Sequence, residues 1–240
     1  MLNFLLTRIR LSWFFVIFFV FYFTLALVLP RQNFQSAALT LFSVNSFLYG
    51  FYISPILGAQ KARIEELHRI VRSEANAIFA MVLGTKDLPK ETRNTIQDMF
   101  ITYAQSNIHR HYKVAEVSYE RLITFCIEYK GKQKDKIEKL LSGLVSNQQN
   151  RTMFSMQISN KVFTNEWMII LMLFSITLAF ILLLDTGDSL ILRVVTALLC
   201  TGLTMLLIIL AKLSTLTHKK ARQIWQPFEK LLSSRFYRLD

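Results

Sequence analysis

Apolar residues fall into four long runs, separated by polar stretches of very unequal length. Leu11 to Pro30 is uncharged and dense in Phe, and Phe34 to Leu57 is uncharged with scattered Ser, Thr and Asn. Trp167 to Leu184 is the third run, and Ser189 to Ala211 is the fourth, with one charge near its start, Arg193. A helix of about 20 residues crosses a hydrocarbon core, so each run predicts a membrane span. A cleaved signal peptide has a shorter apolar core and a small-residue cleavage site. Here a second span follows the first at once, so the first run reads as a span.

The long polar middle reads as helical. Ile64, Leu67, Val71, Ile78 and Val82 recur at three- and four-residue steps, the pattern of an amphipathic helix. Gly84 to Pro89 breaks it, with Pro89 expected in the first turn of a helix that Ile96, Phe100, Tyr103 and Ile108 continue. Gly131 and the run Lys132 to Lys136 predict another exposed break. From Ile137 onward no strong breaker precedes the third span, which predicts one long helix entering the membrane. No segment alternates with period two. The expected fold is all-α: an integral membrane protein with four transmembrane helices and a helical cytoplasmic domain. Its expected parts are 1–10, a cytoplasmic N-terminal segment; 11–57, two spans; 58–165, the cytoplasmic domain; 166–211, two spans; and 212–240, a cytoplasmic C-terminal helix.

Composition agrees. Of 240 residues, 52% are hydrophobic and only 18% charged, which argues against an ordinary soluble protein. Seven Gly and four Pro disfavour turn-rich β architectures. Two cysteines, Cys126 and Cys200, exclude a disulfide-dense scaffold and a structural zinc cluster. The net charge of +12 matters for where it lies. Arg8 and Arg10 precede the first run; Gly58 to Asn165 holds 17 Lys/Arg against 11 Asp/Glu; Lys212 to Asp240 holds 7 against 2. Lys and Arg near span ends stay in the cytoplasm. Both termini and the central segment are therefore expected inside a cell (inner) membrane, with two short loops outside. The charge reads as topology plus attraction to anionic lipid, with no nucleic-acid partner implied. Arg193 is expected one turn inside the outer end, near Asp188 or Asp185, as a structural anchor; an anion attractor at the outer mouth is the alternative.

Enzymatic constellations are mostly missing. There is no Gly-rich phosphate loop, no Cys pair at ligand spacing and no His-Glu-x-x-His. His109 and His111, two apart, would point to different faces of a helix, and solvation outweighs metal binding. Glu65, Glu66 and His68 read as solvated or ion-paired positions before an acid/base cluster. Glu166 beside Trp167 fits an interfacial anchor. No cofactor or metal is implied, and the chain is not read as an enzyme.

The second run carries the functional signal. At 100° per residue, Ser36, Thr40, Ser43, Phe47, Gly50, Phe51 and Ser54 fall within one sector of about 100°, while Leu41 and Leu48 lie on another face. Small and hydroxyl residues let transmembrane helices approach closely, so this face serves either helix packing or a pore wall. A pore requires several subunits, because four helices from one chain pack solid.

At this span the chain resembles a known family. Ser46-Phe47-Leu48-Tyr49-Gly50-Phe51-Tyr52-Ile53-Ser54 is similar to the second-span signature of bestrophin anion channels, S-F-x-x-G-F-Y followed by an aliphatic and a hydroxyl residue. The layout of two spans, a helical block, two spans and a tail is also similar. Ser73-Glu74-Ala75, then Leu88-Pro89, Arg93 and Tyr103, resembles the bacterial bestrophin-like family of unknown function, and Gln226-Pro227-Phe228 resembles a Pro-Phe element after the last span. The resemblance implies a homopentamer whose second span lines a central pore for small inorganic ions, anions such as chloride favoured. Its neck maps onto Ser43, Phe47 and Phe51, with Ser36, Thr40, Gly50 and Ser54 also facing the pore. Five Phe side chains make a constriction that gates by dewetting, and their positive ring edges tolerate an anion. Lys61 and Arg63 are expected to concentrate anions in a vestibule, or to be ordinary positive-inside flanks. The family usually has an aliphatic residue where Ser43 stands. Its Arg-Trp pair is replaced by Leu57-Gly58-Ala59-Gln60-Lys61, and the acidic calcium clasp is missing, so calcium gating is not implied. The alternative function is a non-conducting scaffold or assembly protein acting through its cytoplasmic helices.

Overall fold

The computed structural model describes residues 9–109, 111–185, 189–218 and 223–233. Regular structure among them is helical: α1 (Leu11–Val28), α2 (Ser36–Gly84), α3 (Lys90–Ile108), α4 (Tyr112–Glu128), α5 (Lys134–Ser159), α6 (Thr164–Leu183), α7 (Leu190–Ser214), a 3-10 turn (Gln223–Trp225) and α8 (Gln226–Ser233). Among the described residues, four helical stretches are long and apolar enough to cross a membrane. The chain divides into two compact units, Met1–Arg63 with Lys161–Ala221, and Ile64–Asn160 with Arg222–Asp240. Arg8, Asp188 and most of the basic tail lie outside the described residues.

In the first unit α6 and α7 each contribute to two apolar clusters. Tyr22 of α1 packs with Ala197 and Cys200 of α7, and Leu178 and Ile181 of α6 close over them. Tyr49 and Ile53 of α2 pack with Ile170 of α6 and Leu210 of α7. Aromatic rings on α1 stack one turn apart, Phe14 on Phe18 at 6.4 Å and Phe15 on Phe19 at 6.3 Å. Polar side chains fix the register between helices. Tyr22 and Thr204 hydroxyls share a 2.8 Å hydrogen bond, and Asn45 Nδ2 donates to Thr177 Oγ1 at 2.8 Å and to the Leu173 carbonyl at 3.1 Å. The link after α1 joins the end of α6: Gln32 N–H donates to the Leu183 carbonyl at 2.8 Å, and Asp185 N–H returns to the Gln32 carbonyl at 3.1 Å. The two short links therefore lie at one end of this unit. At another point Lys212 Nζ holds the Ile9 carbonyl at 2.8 Å, where the chain enters α1.

The second unit is a conventional helical core. Its buried side chains come from five helices: Leu67, Val71 and Ile78 of α2, Ile96 and Phe100 of α3, Tyr119 and Leu122 of α4, Ile137 and Leu144 of α5, and Phe228 of α8. The Gly84–Pro89 break is present, and Thr85 closes it by donating Oγ1 to the Val82 carbonyl at 2.7 Å. Pro89 stands at the N-cap of α3, one place before the first turn.

Four expectations need correction. The long helix from Ile137 into the third span is two helices, with a break at Asn160–Phe163. It is held open by Glu166, whose Oε2 accepts from the Phe163 N–H at 2.9 Å and satisfies a donor at the start of α6. The second exposed break is shorter than expected, because Lys134, Asp135 and Lys136 already form the first turn of α5. The tail is not one helix. α7 runs on to Ser214 and stops where Leu216 adopts φ 54°, with Thr217 N–H on the Lys212 carbonyl at 2.9 Å and Leu216 N–H on Leu213 at 3.2 Å. That is a Schellman ending built without glycine. Finally, His109 and His111 share no helix: they occupy the link between α3 and α4, ring centroids 6.3 Å apart.

Candidate functional site

α2 is apolar on most sides where it is membrane-length, so composition does not say which side is buried. Packing does. Asn45, Tyr49, Tyr52, Ile53 and Ile56 share one sector at 100° per residue, and these residues turn into the first unit. Ser36, Thr40, Ser43, Phe47, Gly50, Phe51 and Ser54 centre on the opposite side, and every one of them is exposed. Phe47 and Phe51 are each 69% exposed, and their rings stack at 6.0 Å with planes 19° apart. Leu41 and Leu48 are exposed on a separate face. The structure thus brings the seven residues into one stripe, and no described residue of the chain covers it.

The chemistry of the stripe is mixed. Thr40 and Ser43 donate to the Ser36 and Leu39 carbonyls at 3.0 and 2.9 Å, so their protons are satisfied and their oxygens still accept. Gly50 has no atom within 4 Å of the place a Cβ would take, and it floors a shallow depression walled by Phe47, Phe51 and Ser54. Pro55, which sequence reasoning passed over, lies inside α2 and has no N–H to give the Phe51 carbonyl one turn earlier. In hydrocarbon a freed carbonyl needs another partner. A stripe with hydroxyl acceptors, a glycine dip and a freed carbonyl suits water or a protein neighbour better than lipid tails.

The two basic residues beyond the stripe part company. Lys61 is exposed. Arg63 is only 4% exposed; its Nη1 donates to Gln60 Oε1 at 2.9 Å and to the Ser214 carbonyl at 3.2 Å, on the last residue of α7. A cation there meets the negative end of the helix dipole, and burial lowers its pKa. Arg63 is therefore a cap on α7, which corrects its expected place in an open vestibule. Gln60, Arg63, Ile64 and Leu67 share the inward face of α2, so phase alone turns the guanidinium in. Arg193 lies in the first turn of α7, half-buried.

No protein-family model, curated protein or solved structure matches this chain.

A second polar constellation lies inside the Ile64–Asn160 unit, and sequence reasoning missed its role. Glu74 is 2% exposed, on the same inward stripe as Val71 and Ile78. The Tyr103 hydroxyl donates to Glu74 Oε1. Tyr119 packs its ring 5.1 Å from Tyr103, donates its hydroxyl to the Leu144 carbonyl at 2.8 Å, and accepts from Asn147 Nδ2 at 3.2 Å. The Arg151 guanidinium sits 3.9 Å from the centre of the Tyr119 ring, a cation–π contact. Burial pushes the Glu74 carboxyl up to about 7, against the opposing pull of the Tyr103 hydrogen bond and the Arg151 charge. Burial and the nearby Glu74 carboxylate push the Tyr103 phenol well above its ordinary range. Tyr103 therefore stays protonated and donating while Glu74 changes charge near neutral pH. The phase of Glu74 with Val71 and Ile78 was the signal that could have found it.

Proposed function

We propose that the chain is a bestrophin-like ion channel: an oligomer, pentameric by that resemblance, in which the exposed stripe of α2 lines a path for small ions, anions favoured. The observation that supports this reading best is the division of α2 into two opposite faces. One is used up by packing within the chain, and the other presents Ser43, Phe47, Gly50 and Phe51 with no described residue over them. Around an axis, five copies would place stacked Phe pairs at the narrowest apolar level, with Ser36, Thr40 and Ser43 above them and Ser54 below. Such rings gate by dewetting, and their edges offer partial positive charge to an anion. Ser43 in place of an aliphatic residue wets one end of the neck, and Lys61 adds positive charge near its other end. In this reading both termini and Gly58 to Asn165 lie on the cytoplasmic side of a cell (inner) membrane, which their Lys/Arg excess supports.

The ring is tested by mass. The full chain purified in detergent and measured by size exclusion with light scattering should give a protein mass about five times the 28.0 kDa of one chain. A monomer leaves the stripe of α2 without an axis to line and favours the scaffold.

A further inference from the structure

Within the Ile64–Asn160 and Arg222–Asp240 unit, two helical faces look at each other across a cleft. His68, Arg72, Asn76 and Phe79 recur along one side of α2, and Gln226, Pro227 and Lys230 recur along α8. Phe228, fully buried between Tyr103 and Trp225, anchors α8 by its other side. The space between the two faces has a volume of about 370 Å³, within the usual range of small-molecule sites, about 300–1,000 Å³. Its sign is one-sided: Arg72 lines one wall and Lys230 the other, His68 adds an imidazole, and no carboxylate lines it among the described residues. Glu65, Glu66 and Glu229 are not among its lining residues.

Two cations on facing walls repel unless an anion sits between them. A carboxylate brings one negative charge, whereas a phosphate monoester brings close to two at neutral pH, with three acceptor oxygens. Arg takes such a group through paired N–H donors and Lys as a point charge, while the Asn76 and Gln226 amides add neutral donors. The cleft is larger than inorganic phosphate needs, and Phe79 and Pro227 give it an apolar side. We propose that this cleft binds an organic phosphate monoester, its phosphate between Arg72 and Lys230 and its organic part against Phe79 and Pro227. The proposal does not depend on the channel reading. Its natural source is a soluble metabolite or the headgroup of phosphatidate, which share this chemistry.

The test uses the full chain in detergent, titrated calorimetrically with phenyl phosphate, and with inorganic phosphate and benzoate as partial mimics. Saturable binding of phenyl phosphate is expected, tighter than either mimic. Arg72 and Lys230 are exposed, so the Arg72→Gln/Lys230→Gln variant should keep its thermal midpoint while losing at least about tenfold in affinity. If that variant does not fold, Lys230→Gln alone decides. Nanodiscs of phosphatidylcholine with and without phosphatidate then separate the sources: competition by phosphatidate assigns the lipid, and its absence assigns a soluble ligand. Failure of phenyl phosphate and phosphatidate alike to bind would overturn the proposal. So would affinity unchanged in the folded variant, or benzoate binding as well as phenyl phosphate.

Discussion

Replacing Phe47 and Phe51 together with Ala is expected to leave the oligomer intact and to enlarge the current or remove its gating. Each ring is 69% exposed in the folded chain, so truncating it removes almost no contact from the chain's own core. A Phe→Ala change in a packed site loses about 3–5 kcal/mol, and that loss should be absent here. If five copies line a path as proposed, what changes is the lumen: ten rings leave it, the narrowest apolar level widens, and water fills it more readily. The measurements are oligomer mass in detergent and current from the same preparation in bilayers. Loss of the oligomer with no gain in current would mean that the stripe packs against a neighbouring subunit's helix. By contrast, Tyr49→Ala, on the buried face of the same helix, should lower thermal stability without that gain.

The second large effect concerns pH. Glu74 has its carboxyl raised from 4.5 to about 7 by burial, so the folded unit binds a proton more tightly than the unfolded chain does. Its stabilising contribution is complete below pH 4.5, declines as pH rises, and is lost once pH passes about 7. At 1.36 kcal/mol per pKa unit the whole change is about 3 kcal/mol. The groups that face Glu74 are Tyr103 from α3, Tyr119 from α4, and Asn147 and Arg151 from α5. Burial pushes the Tyr103 and Tyr119 phenols up, away from this window, so neither contributes to the slope. Glu74→Gln keeps the hydrogen bonding of the neutral form and should flatten the curve. Thermal midpoints of wild type and variant between pH 4.5 and 7.5 make the comparison, with all other carboxylates cancelling. Parallel curves would mean that water or Arg151 keeps Glu74 ionised throughout.

Much of this architecture was legible because membrane-length apolar runs leave the backbone few options. In hydrocarbon each N–H and C=O must be paired within the segment, so Leu11 to Val28 and Leu190 onward are helical whatever their propensities. The stripe of α2 was legible for a simpler reason, since Ser, Thr and Gly at helical spacing stand out from an apolar background. What periodicity did not show is which side of α2 is covered, because Tyr49 and Ile53 look as suited to lipid as Leu41 does. The break at Asn160–Phe163 has neither Gly nor Pro; only Glu166, reaching back to the Phe163 N–H, marks it. The end of α7 was hidden similarly, since Leu216 takes a left-handed conformation that sequence reading assigns to glycine. Phase is the signal that was passed over at Arg63, which was weighed by its charge, and at Glu74, which was given no role: both lie in phase with Ile64, Leu67, Val71 and Ile78 along α2, and both are buried.

The central claim is that ions pass along the open stripe of α2. It is tested most directly by recording from the purified oligomer in a planar bilayer with a KCl gradient across it. Discrete currents are expected, reversing toward the chloride equilibrium potential. A bilayer that stays silent after incorporation of correctly sized oligomer would contradict the account.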